Sequence, residues 1–175
     1  MQVHTEFPRP IDLRALPRHP IELVADAGER AALADRFDIV SIGSLIATAT
    51  IVQDAEGINI SGRITAALVQ NCAVSGEDFP TRINCDYRLR FMPQETYSAM
   101  VAAAGDEYEL SEGDLDTVPY SGSTLELGEA IAQTLALEID PYAEGPKADS
   151  AREEYGLSTP EDNGPFAALK ALKGK

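Results

Sequence analysis

Tryptophan is absent from the 175 residues, aromatic side chains make up only 6% of them, and cysteine occurs twice. So thin an aromatic inventory leaves no stretch of interleaved aromatic and basic residues of the kind that stacks bases in RNA-recognition sheets. Cys72 and Cys85 form no Cys-x-x-Cys pair, and with His4 and His19 they complete the soft-ligand set, too few and too scattered for a structural zinc. The opening Met1 to Pro10 lacks the basic and apolar regions of a secretory signal. The most apolar stretch, Ile39 to Val52, is broken by Ser41, Gly43, Ser44, Thr48 and Thr50. These absences predict a cytoplasmic chain whose cysteines are free thiols. No Gly-x-x-x-x-Gly-Lys or Gly-x-Gly-x-x-Gly occurs, so nucleotide hydrolysis has no support.

Positive charge is missing from one long stretch. Residues 91–146 carry 12 acids and no Lys or Arg, whereas residues 1–90 carry 12 acids against 9 bases and residues 147–175 carry 5 of each. Most of the net charge of −15 therefore lies in the middle. That segment repels a phosphate backbone and attracts basic polypeptides.

What is present is periodicity. Three prolines between Glu6 and Pro17 predict an extended or turn-rich lead-in. Ile21 to Val24 reads as a short strand, and Asp26 as the cap of a helix from Gly28 to Phe37, with Ala31 or Ala32, Leu33 and Phe37 on its apolar face. Three strands follow, roughly Leu45 to Gln53, Ile58 to Cys72 and Phe79 to Phe91, with turns at Asp54–Gly57 and around Gly76. In the third, Ile83, Cys85, Tyr87, Leu89 and Phe91 alternate with Arg82, Asn84, Asp86, Arg88 and Arg90, the mark of a half-buried strand. Closing the second hairpin on Gly76 puts Ile58, Ile60, Ile64, Leu68 and Cys72 on the same buried face. It also sets Arg63 opposite Arg90, where like charges demand an acidic partner. That partner is either internal, Asp86 or the acidic segment, or an external phosphate or acidic protein. In this register the cysteines stand roughly 13 Å apart along the strands, too far for a disulfide.

A helix over Glu95 to Ala104, an acidic loop over Gly105 to Thr117 and a strand near Thr124 to Leu127 are expected next. Leu127, Ile131, Leu135 and Ile139 recur every fourth residue, predicting a helix stopped by Asp140-Pro141 that covers the sheet. Together these predict an α+β fold: an antiparallel meander or partly closed β-barrel covered by one or two helices, in a single domain over residues 1–142. A flexible linker over 143–164 and a short amphipathic helix over 165–175 follow.

For chemistry, the candidates are few. No catalytic residue, metal or cofactor is expected, and no small-molecule substrate or membrane contact. Cys72 as a nucleophile has no base placed beside it, and Asp106, Glu107, Glu109, Glu112, Asp114 and Asp116 read as a solvated loop rather than an acid pair. Arg63, Arg82, Arg88 and Arg90 form a candidate contact for RNA or an acidic partner. The six acids form a candidate contact for a basic one. Phe166, Leu169 and Leu172, with Lys170, Lys173 and Lys175 beside them, form a hook for docking at home or on a partner.

In order along the chain, Glu6-Phe-Pro-Arg-Pro-Ile-Asp-Leu, Ser61-Gly-Arg-Ile-Thr-Ala-Ala-Leu-Val-Gln-Asn-Cys72, Leu125-Glu-Leu-Gly through Asp140-Pro-Tyr142 and Pro165-Phe-Ala-Ala-Leu-Lys-Ala-Leu-Lys173 resemble the YceD family of large ribosomal RNA subunit accumulation proteins, in its alphaproteobacterial form. The resemblance implies a non-catalytic role in accumulating large-subunit ribosomal RNA, with an rRNA precursor or a basic ribosomal protein as partner. Many members carry a Cys-x-x-Cys in the meander and a second cysteine pair downstream, suggestive of zinc. Here Cys72 is followed by Ala73-Val74-Ser75 and no cysteine occurs after Cys85, so that reading is not carried over. Alternatives from other classes are an acidic protein-binding adaptor unrelated to ribosomes and a small enzyme using Cys72 or paired carboxylates.

Overall fold

A computed structural model describes residues 5–55, 57–104 and 117–157. Among them run β1 (Pro10–Asp12), β2 (Ile21–Val24), α1 (Ala27–Arg36), β3 (Ser41–Gln53), β4 (Ile58–Asn71), β5 (Asp78–Pro93), α2 (Gln94–Ala104), β6 (Thr117–Tyr120), β7 (Thr124–Glu126), α3 (Leu127–Glu138) and α4 (Ala148–Tyr155). The fold is α+β. Strands β2 to β5 make an antiparallel meander, β6 adds in parallel beside β5, and β1 pairs with β7 in a separate two-stranded ribbon. The five-stranded sheet stays open: β2 and β6 are its edges, and the barrel alternative falls away.

The long strands form because their apolar residues alternate. Leu45, Ala47 and Ala49 of β3, Ile58, Ile60, Ile64, Ala66 and Leu68 of β4, and Ile83, Tyr87 and Phe91 of β5 are buried on one face, as the period of two requires. Helix α3 covers that face with Leu127, Ile131 and Leu135, four residues apart and fully buried in the same core. Helix α1 starts at the expected cap. The Asp26 side chain accepts from the Glu29 N–H, and the Glu29 side chain accepts from the Asp26 N–H, a reciprocal capping box. Its buried face is Leu33 and Ala34, not Ala31 or Ala32, which are exposed.

The register of the β4–β5 hairpin corrects the sequence reading. Arg63 faces Asp86, not Arg90, and Cys85 faces Ile64, not Leu68. The physical reason lies in the loop. The Cys72 N–H donates to Glu77 O at 2.8 Å and the Gly76 N–H to Cys72 O at 2.9 Å, enclosing residues 73–76, and Gly76, at φ 69°, ends the loop rather than centring it. A left-handed glycine closing a short loop is a common hairpin device. The resulting slip is four residues, an even number, so every side chain keeps its predicted face.

The stretch read as linker also differs. Within its described part, Gly145 packs so tightly on Phe79 that a Cβ would stand 3.0 Å from the ring, and Ala73 N–H donates to Ala143 O at 3.0 Å. Helix α4 follows, with Ala148 and Ala151 buried and Gly156 at φ 64° ending it. Two small apolar residues three apart suffice to seat a helix on a neighbour, which a count of large apolar anchors misses.

The lead-in and α3 lock together. Phe7 is fully buried, and the Arg9 guanidinium sits 4.2 Å over its ring while bonding Glu29 at 2.6 and 2.8 Å. A Cβ on Gly128 would stand 1.7 Å from Phe7 O, so only glycine admits the strap there. Arg36 reaches Glu6 and Glu129 together, at 2.8 Å each, tying lead-in, α1 and α3 at one point. This pulls the Glu129 carboxyl down to about 2, chiefly through its bonds from Arg36.

Candidate binding face

The outer face of β3, β4 and β5 carries mostly polar and small side chains beside its arginines, with Ile46 and Val52 of β3 also exposed on it. Arg82, Asn84, Asp86, Arg88 and Arg90 alternate along one strand, so the row from Arg82 to Arg90 spans about 27 Å. Arg63 on β4 stands directly across from Asp86 and forks onto it, Nε to Oδ1 at 2.7 Å and Nη2 to Oδ2 at 3.1 Å. Each partner stabilises the other's charged form: the Asp86 carboxyl is held below the usual carboxylate range and the Arg63 guanidinium is raised. The internal partner expected for Arg63 is thus Asp86.

Arg82 lies across from Ala67, and Arg88 across from Ser61; both are exposed and make no ion pair among the described residues. Arg90 is half-buried across from Asn59, beside Thr117 of β6, at the mouth of a groove shared with Asp54 and Met100. The four arginines therefore share one face but not one state. Two present free cationic ends, Arg63 is engaged by Asp86, and Arg90 belongs to the β6 edge. No aromatic side chain stands on this face between Ile46 and Arg90, so it offers cations for phosphates or carboxylates without a platform for stacking bases.

Beneath the row, Gly62 makes room for Tyr87. A Cβ at Gly62 would meet Thr48 O at 1.8 Å and the Tyr87 ring at 3.1 Å, and across this gap the Tyr87 hydroxyl donates to Thr48 O at 2.8 Å. Burial pushes the Tyr87 hydroxyl up to about 12, so it stays a donor. One inward tyrosine thus bridges from β5 past β4 to β3, behind the strands that carry the arginines.

The other candidates fall elsewhere. Cys72 is buried at the β4–β5 loop, where its Sγ accepts from Ser75 N–H at 3.3 Å, and hydrogen bonds from Ser75, Gly145 and Val74 bring its thiol down to about 7. These neighbours hold no base that would take its proton. Cys85 is only half-buried on the inner face, and burial raises its thiol. Eight residues separate it from Glu77, the partner of Cys72, so the cysteines are roughly 27 Å apart along the strand rather than 13 Å. No group of three or more His, Cys, Asp or Glu side chains able to hold a metal occurs among the described residues. No helix among them is long and apolar enough to cross a membrane. Asp106, Glu107, Glu109, Glu112, Asp114 and Asp116, and the hook residues Phe166, Leu169 and Leu172, lie outside the described residues.

Sequence reasoning missed the Arg36–Glu6–Glu129 tie and the Arg9–Glu29 pair, because each joins elements far apart in the chain. The available signal was Glu6 and Arg9 flanking Phe7-Pro8.

No curated protein and no solved structure matches the chain. The family model described as "Large ribosomal RNA subunit accumulation protein YceD" matches residues 60–173, which include Arg63 on β4 and Arg82, Arg88 and Arg90 on β5. With well over half its length matched, the chain belongs to the YceD family, whose name implies a role in accumulation of the large ribosomal subunit's RNA.

Proposed function

We propose that this chain supports large-subunit rRNA accumulation as a non-catalytic cytoplasmic factor that holds an rRNA precursor by its phosphates through the outer face of β4 and β5. The observation that carries the reading is the arginine row: Arg82 and Arg88 exposed on an open sheet face, with Arg63 and Asp86 between them. A chain of net charge −15 repels polyanions at long range, so contact is confined to this row and weakens steeply with salt. Without aromatics on the face, recognition follows backbone shape rather than base identity.

A second reading has its own support. Residues 91–146 hold 12 acids and no base, a surface suited to a basic ribosomal protein, with Asp106 to Asp116 as the contact. A salt-titrated pull-down from lysate separates the two, using the full chain and its Arg82→Ala/Arg88→Ala variant, with and without ribonuclease. Recovery of rRNA precursors that is lost with ribonuclease and in the variant supports the arginine row. Recovery of basic large-subunit proteins that survives both moves the function to the acidic segment. Recovery of neither overturns both in favour of an adaptor unrelated to ribosomes.

A further inference from the structure

Along β5 the outer face presents a cation, a neutral ion pair and a second cation. Arg82 and Arg88 stand exposed on the same side of the strand, about 20 Å apart along it. Between them sits Asp86 with Arg63 forked onto it, a unit of no net charge. A single strand of RNA laid along β5 would bring a phosphate onto Asp86, where like charges repel. The pair is suited to neutral polar groups instead. Each Asp86 oxygen accepts one bond from Arg63 and keeps a lone pair, and Arg63 engages through Nε and Nη2, leaving Nη1 to donate. Ser61, Thr65 and Asn84, exposed around the pair, add hydroxyl and amide groups.

The form of RNA that matches this order follows from shape. Single strands are read by stacking splayed bases on aromatic side chains, and among the described residues this face has none between Arg82 and Arg88. An A-form duplex presents two phosphate strands on either side of a wide, shallow minor groove that displays 2′-hydroxyls. We propose that the arginine row takes double-helical RNA across its minor groove, with Arg82 and Arg88 on phosphates of opposite strands and Asp86 accepting from 2′-hydroxyls between them. The inference rests on the arginine-row reading above and adds which form of RNA is held and what the acidic residue does. DNA is disfavoured, because deoxyribose has no hydroxyl to donate.

The test measures binding of the full chain by fluorescence anisotropy, at one fixed low salt concentration, to three probes. These are an RNA duplex of about 16 base pairs, the same duplex with every ribose 2′-O-methylated, and one of its strands alone. Methylation keeps the A-form and removes the donors. The unmodified duplex is expected to bind about tenfold more tightly than either other probe. Arg82→Ala/Arg88→Ala lowers duplex binding by about tenfold or more. Asp86→Ala abolishes the preference for the unmodified over the methylated duplex and leaves the melting temperature unchanged, because the pair is exposed. A single strand bound as tightly as the duplex, and lost equally in Arg82→Ala/Arg88→Ala, would overturn the duplex inference while leaving the row as an RNA contact. A methylated duplex bound as tightly as the unmodified one would overturn the role of Asp86. Absence of any binding that depends on Arg82 and Arg88 would overturn the proposed function as well.

Discussion

Gly62 is where the architecture of the binding face is most exposed to a single methyl group. In Gly62→Ala the new Cβ would lie 1.8 Å from Thr48 O and 3.1 Å from the Tyr87 ring. Backbone atoms on the neighbouring strand cannot swing aside as a long side chain can, so β3 and β4 must part at the centre of the sheet. Forcing that separation in a packed core costs about 2–4 kcal/mol. For a chain of this size it lowers the melting temperature by roughly 4–16 °C. Tyr87→Phe alone removes the hydroxyl bond to Thr48 O and costs about 1 kcal/mol. If the two act through the same gap, the double variant is less destabilised than the sum of the singles, with a coupling of about 1 kcal/mol. Urea unfolding followed by far-ultraviolet circular dichroism gives all four free energies. Because the chain has no tryptophan, tyrosine emission provides a second probe. A Gly62→Ala protein within about 0.5 kcal/mol of the wild type, or strictly additive singles, would refute the reading that glycine is required for Tyr87 to bridge the strands.

Other outcomes are equally open to measurement. The Glu129 carboxyl is at about 2 in the folded chain against an ordinary 4.5, so its contribution is full above 4.5 and is lost as pH falls toward 2. Glu129→Gln should therefore remove about 1–2 kcal/mol at pH 7, after discounting for solvent screening, and flatten the acid limb of the stability profile between pH 4.5 and 2. Asp86→Asn breaks a solvent-exposed pair and should leave the unfolding midpoint essentially unchanged. By releasing Arg63 it should steepen the salt dependence of rRNA binding by about one unit of slope, read by fluorescence anisotropy against potassium chloride. Cys72 should resist alkylation until the fold opens, despite a thiol near 7, because it is buried beneath the strap at Gly145. Gly145→Val, which drives a side chain into Phe79, should lift that strap and speed native-state alkylation of Cys72 by about tenfold.

The faces of the three long strands were legible because a period of two survives any even slip of register. Ile60, Ile64 and Tyr87 are buried as read, even though the β4–β5 pairing moved by four residues. The same slip changed the candidate site, replacing Arg63 against Arg90 by Arg63 against Asp86 and turning an expected repulsion into a forked ion pair. Face depends on parity, whereas partnership depends on the loop, and only the backbone geometry at Gly76 decides where the loop ends. Helix α3 was legible from its four-residue repeat. Helix α4 was not, because its buried residues, Ala148 and Ala151, are too small for local hydrophobicity to register.

The sequence by itself determined the class of fold, the buried side of each strand, the ends of α1 and α3 and the arginine row on β5. All of these are local consequences of side-chain period, capping and turn chemistry. Tertiary structure alone decided that the sheet stays open, that β6 enters parallel, that Phe7 threads over Gly128, and that Arg36 binds both Glu6 and, 93 residues further along the chain, Glu129. Those features arise where distant segments compete for one space, and no window along the chain contains both competitors.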